Sequence, residues 1–189
     1  MNQETALVAC GILKEELETI CQSEDIRLSR YYIDPALHVD LDRLEERLVQ
    51  VLEKVAQKHK EVLVIFGSCH PDIDEIITEF GGERLAIKDC IGALHGDKRQ
   101  QLDRKANNFY LTSGWLNNWR KIFVKGLGWD EIDGRQNFGF YDRILLVDTK
   151  VREISDEEIL EFFEYAQVAI KPFPTDLNYF KNLILNKLG

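Results

Sequence analysis

The stretch Glu61-Val62-Leu63-Val64-Ile65-Phe66, closed by Gly67, decides the fold prediction. An uninterrupted apolar run of this length is typical of a central parallel strand, because such a strand is buried on both faces. The same kind of pattern, continuous or alternating, predicts strands elsewhere in the chain. These further strands cover residues 5–9, 26–33, 84–88, 108–112 and 143–148.

Helical periodicity separates these strands. It predicts helices over residues 11–22, 40–59, 72–80, 90–95, 97–106 and 115–124, one that begins at Ser155 and reaches Ile170, and a last one that begins at Pro174 or Thr175. Asp40 is the expected N-cap of the long helix, and Ser155 with Glu158 forms a capping-box pattern. Residues 126–139, rich in Gly, Asp and Asn, predict the longest loop and a candidate lid.

Strands that alternate with helices predict a doubly wound α/β fold. We expect a mostly parallel, Rossmann-like sheet with helices on both faces. No repeat or composition shift divides the chain, so we expect a single domain over residues 1–189.

The charge of the chain excludes several classes of partner. Lys and Arg number 24 against 33 Asp and Glu, which gives a net charge of -9 over 189 residues. So acidic a chain lacks the positive surface that nucleic acid and anionic lipid require, and we expect neither nucleic acid nor membrane as a partner. Because the first five residues lack the basic flank of a signal peptide, we expect a cytoplasmic protein with reduced thiols.

Three cysteines and a histidine follow four successive predicted strands. Cys10 ends the first strand, His38 lies after the second, Cys69 after the third and Cys90 after the fourth. The carboxyl ends of parallel strands meet at one edge of a sheet, so we expect these side chains to converge. Thiolates with an imidazole suit zinc or an iron–sulfur cluster far better than magnesium or calcium. His70, beside Cys69, is a further candidate ligand or a cap before the following proline.

Other interpretations of the cysteines stay open. A free cysteine at a strand end is often packed in the core, as we expect for Cys21 within its helix. Cys10 and Cys90 also begin predicted helices, where the helix dipole lowers a thiol pKa, so the site could be nucleophilic rather than metallic.

Polar and aromatic residues at two later strand ends are candidates for binding a substrate. Tyr110, Thr112 and Trp115 lie at the end of the fifth strand, and Asp148 ends the last one. Core packing is the commoner reason for aromatic residues at such spacing. The chain has neither a GxGxxG motif nor a Walker A motif, so nucleotide binding has no support.

Several short segments, in order, resemble those of the domain of unknown function 1638 family of bacteria and methanogenic archaea. They are Ala9-Cys10-Gly11-Ile12-Leu13 with Glu16, Leu37-His38, Phe66-Gly67-Ser68-Cys69, Asp89-Cys90-Ile91 with Gly96, Tyr110-Leu111-Thr112 with Gly114-Trp115, and Leu146-Val147-Asp148-Thr149. Many relatives have Gly-Asn-Gly where this chain has His70-Pro71-Asp72.

What the resemblance implies is a context rather than an activity. The family's Cys-Gly, Leu-His, Gly-x-Cys and Asp-Cys pieces fall on Cys10, His38, Cys69 and Cys90. Genes of the family often neighbour corrinoid-dependent methyltransferases, which implies a role in anaerobic one-carbon metabolism and slightly favours an iron–sulfur cluster over zinc. The leading hypothesis is a metal–thiolate protein. The alternative is a non-enzymatic module that binds a small molecule or a corrinoid methyltransferase, with the cysteines as packing or redox residues.

Overall fold

Two hydrogen-bonded sheets organise the computed structural model of the chain, which describes residues 4–96 and 98–189. Residues 1–3, used above in the argument on targeting, and Asp97, the expected start of a helix, lie outside the described residues. The strands are β1 Thr5–Cys10, β2 Ser29–Ile33, β3 Glu61–Ile65, β4 Gly82–Arg84, β5 Asn108–Thr112, β6 Arg143–Asp148 and β7 Ile170–Pro174.

Helices follow most of the strands. They are α1 Lys14–Ser23, α2 Leu41–Ala56, α3 Ile73–Glu79, α4 Cys90–His95, α5 Lys98–Asp103, α6 Ser113–Trp119, α7 Glu131–Phe138, α8 Asp156–Ala166 and α9 Asn178–Leu188. Short 3-10 helices cover Gly11–Leu13 and Pro35–Val39, and a π-helical segment over Arg120–Gly126 continues α6.

The first sheet has the strand order β2-β1-β3-β4 and the second the order β5-β6-β7, and the strands pair in parallel in both sheets. The predicted parallel α/β fold is confirmed. As expected of a central strand, β3 is buried along Val62–Ile65 and pairs with β1 on one side and β4 on the other.

The two faces of the first sheet contribute to two apolar clusters. Val8 and Cys10 of β1 belong to a first cluster, with α2 and α3, whereas Leu7 and Ala9 belong to a second cluster, with α1 and α4. The second sheet contributes to both clusters in the same alternating way, because Leu146 joins the first and Leu145 the second. The two sheets therefore share their cores.

Capping residues identified in the sequence act as expected. The Asp40 side chain accepts a hydrogen bond from the Arg43 backbone N–H at 3.2 Å, and Ser155 and Glu158 form a reciprocal capping box. These side chains satisfy backbone donors that have no partner within their helix.

Several predicted boundaries are wrong, among them the following three. Residues 126–139 do not form a loop throughout, because Asp130 and Asp133 build a second capping box that starts α7. The helix from Ser155 ends at Ala166, where Gln167 adopts a left-handed φ of 55°, and the next residues form β7. The strand expected over residues 84–88 pairs earlier, at Gly82–Arg84.

Crossing a bilayer requires a helix that is both long and apolar, and no helix among the described residues meets these conditions.

Candidate functional site

A crevice is expected where β1 and β3 end side by side. The chain leaves β1 toward α1, which packs in the second cluster, and leaves β3 toward α3, which packs in the first. Adjacent connections that turn to opposite faces open a crevice at the carboxyl edge, and this is the common ligand site of doubly wound folds. Cys10 is the last residue of β1, and Cys69 lies in the connection after β3.

Cys10 contacts a histidine whose orientation is fixed. Its Sγ lies 3.8 Å from His38 Nε2, and His38 Nδ1 lies 2.9 Å from the Pro35 carbonyl oxygen. Since a carbonyl only accepts, Nδ1 carries the proton and Nε2 presents its lone pair toward the sulfur. The His38 ring also stacks on Phe66, with centroids 6.0 Å apart and planes at 9°. Burial lowers the His38 pKa, which keeps the imidazole neutral.

The connections that carry Cys69 and Cys90 approach each other closely because residue 67 is glycine. A Cβ at Gly67 would lie 2.6 Å from the Asp89 Cα and 2.8 Å from the Lys88 carbonyl oxygen. The Ser68 backbone N–H donates to that same Lys88 oxygen at 2.8 Å. The glycine predicted to end the strand therefore also brings these two cysteine-bearing connections together.

Burial raises the pKa values of all three thiols. Burial is the main cause that raises the pKa of Cys10, and negative charge on Cys90 and on Cys69 raises it further. Burial raises the pKa of Cys90 to about 12, with added contributions from Asp89 and Cys69. For Cys69 the causes are burial and then Asp89. The convergence of the three thiols at the carboxyl edge stays a prediction.

The expected lowering of thiol pKa at helix starts is wrong. Backbone hydrogen bonds at Ile12 and Ile91 do lower the pKa values of Cys10 and Cys90, but desolvation outweighs them. At neutral pH these thiols stay protonated, and a protonated thiol is a poor nucleophile.

Trp115 lies beside the thiols. The Trp115 side chain lowers the pKa of the Cys90 thiol, and its ring stacks on Phe123 with centroids 5.7 Å apart. Cys10 is only 4% exposed, whereas Cys69 and Cys90 are partly buried. A ligand would therefore reach the thiols from the side of Cys69 and Cys90.

His70, the other candidate ligand, has partners at both ring nitrogens. The Asp72 backbone N–H donates to Nδ1 at 3.1 Å, and Nε2 lies 3.3 Å from a Glu45 carboxylate oxygen. Through these contacts His70 links α2 with the connection that follows β3. This position agrees with the capping role considered for it.

The residues predicted to bind a substrate make separate contacts in different parts of the fold. Tyr110 packs in the second cluster and donates its hydroxyl to Asp103 at 2.7 Å, whereas Trp115 packs against the first. Thr112 caps α6 by accepting from the Trp115 backbone N–H at 3.3 Å. Asp148 pairs with Lys150 in the turn after β6; burial opposes the effect, but the Lys150 hydrogen bonds lower the Asp148 pKa.

A buried carboxyl group, Glu16, was not singled out by the chemistry of the sequence. Its Oε1 accepts from the hydroxyls of Thr149 at 3.1 Å and Ser113 at 3.4 Å. Its Oε2 is buried without a hydrogen-bond partner, and burial raises the Glu16 pKa. The sequence does contain an indication that Glu16 is buried. Glu16 lies three residues after Leu13 and four residues before Ile20, on the apolar face of the predicted helix over residues 11–22.

No group of three or more Cys, His, Asp and Glu side chains within residues 4–96 and 98–189 is placed so that it could hold a metal ion. The direct contact at the predicted site is the one between Cys10 and His38.

A family model described as "Protein of unknown function (DUF1638)" matches residues 32–184. The chain belongs to this family. The matched region contains His38, Cys69, Cys90 and Trp115, while Cys10 and Glu16 precede it. No curated protein and no solved structure gives a significant match.

Proposed function

We propose that the chain binds a thiolate-preferring metal centre, zinc or an iron–sulfur cluster, through Cys10, Cys69 and Cys90, with His38 as the nitrogen ligand. The observation that carries the proposal is the contact of Cys10 Sγ with His38 Nε2 at the end of β1. Metal-binding histidines commonly donate their other ring N–H to a backbone carbonyl, which fixes the ring, and His38 does this with Pro35.

The electrostatics of the thiols also support a cation at this place. Burial and neighbouring negative charge raise the pKa values of Cys10 and Cys90, so these thiols would ionise only with positive charge nearby. A bound metal supplies that charge, so binding displaces the thiol protons and affinity increases with pH. Trp115, which affects the Cys90 thiol, and Phe66, which stacks on His38, would hold these ligands in place.

Among the proposed ligands, His38 is preferred over His70. His38 Nε2 faces a sulfur and is neutral, whereas both nitrogens of His70 already have partners. A metal held by three thiolates and one imidazole would act on a substrate only by exchanging or adding a ligand. It stays a prediction that the chain acts in methyl-group metabolism and that it is cytoplasmic. The partner, a small-molecule substrate or a corrinoid methyltransferase, is a prediction as well.

The test is elemental analysis and visible spectroscopy of the chain purified without oxygen. Zinc in a colourless protein indicates a zinc site, and iron with sulfide in a brown protein indicates a cluster. We expect one centre per chain, lost on Cys10→Ser, Cys69→Ser or Cys90→Ser and weakened on His38→Gln.

Cys21→Ser is the matched control. Cys21 is a buried thiol on α1 whose pKa responds to burial, Arg30 and Glu18 rather than to the other cysteines. It should leave the metal content unchanged. Equal metal content in wild type and in the variant lacking Cys10, Cys69 and Cys90 contradicts the proposal, and a chain that binds neither metal favours the non-enzymatic module.

A further inference from the structure

Arg84, the last residue of β4, joins the two connections that carry Cys69 and Cys90. Its Nη1 donates to the Phe66 carbonyl oxygen at 3.1 Å and to the Ile87 carbonyl oxygen at 3.0 Å. Phe66 lies three residues before Cys69. Ile87 likewise lies three residues before Cys90. One nitrogen atom therefore anchors both connections at the same distance along the chain from their cysteines.

The guanidinium group of Arg84 is itself fixed from its other side by α3. Its Nε donates to Asp74 Oδ1 at 2.6 Å and its Nη2 donates to Asp74 Oδ2 at 3.0 Å, which makes a bidentate pair. The Arg84 side chain is only 15% exposed, and four of its five N–H donors are used. A planar group with donors in fixed directions is needed to reach a carboxylate and two carbonyl groups together.

These hydrogen bonds limit how far the two connections can separate. Because Nη1 contacts both carbonyl oxygens, those oxygens are no farther apart than the sum of the two bond lengths. One residue further along each connection from Gly67 and Ile87, the Ser68 N–H donates to the Lys88 carbonyl oxygen at 2.8 Å. The two connections are thus held together by Arg84 and by one direct backbone bond.

The thiols themselves have to move if they are to share a metal. Thiolate ligands lie about 2.3 Å from a bound zinc ion, and no metal-binding group is preformed in the part of the chain that the structure describes. Since Arg84 anchors the carbonyl groups of Phe66 and Ile87, the movement is confined to residues 67–69 and 88–90. Short segments with fixed origins reach a common point at little entropic cost.

We propose that Arg84 is a positioning residue of the metal centre, which holds the Cys69 and Cys90 connections at the spacing from which both thiols reach one ion. The inference rests on the proposed function and adds to it a residue that contacts no metal. Residues that support the ligands of a metal site commonly change its affinity by about 10- to 100-fold when they are replaced. Arg84 would act through the backbone that carries the ligands.

The test is titration of the full, metal-free chain with Co²⁺ in the absence of oxygen, followed by the visible absorption of thiolate-bound cobalt. We expect Arg84→Met to weaken Co²⁺ binding by about tenfold or more. Arg84→Lys keeps the positive charge but not the planar group, so we expect a similar loss. If the Met variant does not fold, the Lys variant decides.

Amide hydrogen exchange of the metal-free chain gives a second readout. The Ser68 N–H should exchange about tenfold faster in Arg84→Met than in wild type, because the connections that its hydrogen bond joins are then free to separate. An unchanged exchange rate at Ser68 overturns the inference.

Two variants serve as controls. Asp74→Asn removes the ion pair at a largely exposed carboxylate and leaves both carbonyl bonds of Arg84 in place. Arg152→Met removes another half-buried arginine, whose partners Glu158 and the Glu153 carbonyl oxygen lie after β6. Both variants should bind Co²⁺ as wild type does.

The outcomes separate this inference from the proposed function. Absence of Co²⁺ binding by wild type overturns both. If wild type binds Co²⁺, equal affinity in Arg84→Met or an equal loss in Arg152→Met overturns only the role of Arg84. Full affinity in Arg84→Lys also overturns it, because the positive charge would then be sufficient without the two carbonyl bonds.

Discussion

Two polar clusters at carboxyl ends of strands differ in their donor atoms and in how completely those atoms are used. The sulfur cluster consists of Cys10, Cys69 and Cys90 with His38, and it belongs to the first sheet. The oxygen cluster consists of Glu16, Ser113 and Thr149, and it connects α1 with the carboxyl ends of β5 and β6. The first is neutral and partly open to solvent, whereas the second is buried around one carboxyl group.

The difference indicates separate tasks. Hydroxyl-to-carboxylate hydrogen bonds satisfy the oxygen cluster internally except at one oxygen, so its effect is to hold the two halves of the fold together. Thiols are weak hydrogen-bond donors, and their packing at the crevice leaves lone pairs for a softer partner. We therefore expect changes in the oxygen cluster to affect stability, and changes in the sulfur cluster to affect binding.

The largest expected effect is that of Gly114→Ala, which breaks the contact beneath the oxygen cluster. A Cβ at Gly114 would overlap the Ile12 carbonyl oxygen and lie 2.8 Å from the Ile12 carbonyl carbon. Helix α6 would have to move, and Ser113 would leave Glu16. We expect the free energy of unfolding in urea to fall by about 3 kcal/mol or more.

Gly92→Ala is its control near the sulfur cluster. There a Cβ would come no closer than 3.4 Å to an Asp89 carboxylate oxygen, an ordinary contact within α4. We expect the free energy of unfolding to stay the same or to rise by up to about 1 kcal/mol. Similar losses at the two glycines would contradict the view that Gly114, unlike Gly92, is required by a close backbone approach, here to Ile12.

Glu16→Gln tests the oxygen cluster through the pH dependence of stability. Burial raises the pKa of Glu16 above its ordinary value of 4.5 in the folded chain. Its contribution to stability is therefore complete below pH ~4.5 and is lost as the pH rises through the folded-state pKa. Glutamine does not titrate, so the stability of the variant relative to wild type should increase between pH 4.5 and pH 8, measured by urea unfolding.

Thr149→Val should change the same pH dependence in the opposite direction. The Thr149 hydroxyl donates to Glu16 at 3.1 Å and favours the ionised carboxyl group. Its loss raises the Glu16 pKa further and makes the wild-type loss of stability with pH steeper. Parallel pH profiles for wild type and Glu16→Gln would show that Glu16 does not titrate in this range.

The positions of the cysteines were predictable, and the partners of Glu16 were not. Each cysteine follows a strand whose apolar run is local in sequence, and the parallel topology then brings the strand ends to one edge. Glu16 is separated from Ser113 by 97 residues and from Thr149 by 133, so its environment depends on how α6 and β6 pack against α1. The missed strand β7 has the same cause, since two prolines among five residues hide a strand that tertiary pairing stabilises.

The smallest expected effect concerns the interaction of the Trp115 indole with the Cys90 thiol, which lowers the Cys90 pKa. Trp115→Phe keeps an aromatic ring against Phe123 but removes the donor, and Trp129→Phe is the control because Trp129 also stacks on Phe123, at 5.7 Å. In a double-mutant cycle with Cys90→Ala, we expect a coupling energy of about 0.5 kcal/mol for Trp115, as befits a weak sulfur acceptor, and none for Trp129. Equal coupling for the two tryptophans would mean that Cys90 responds to general packing rather than to the indole N–H.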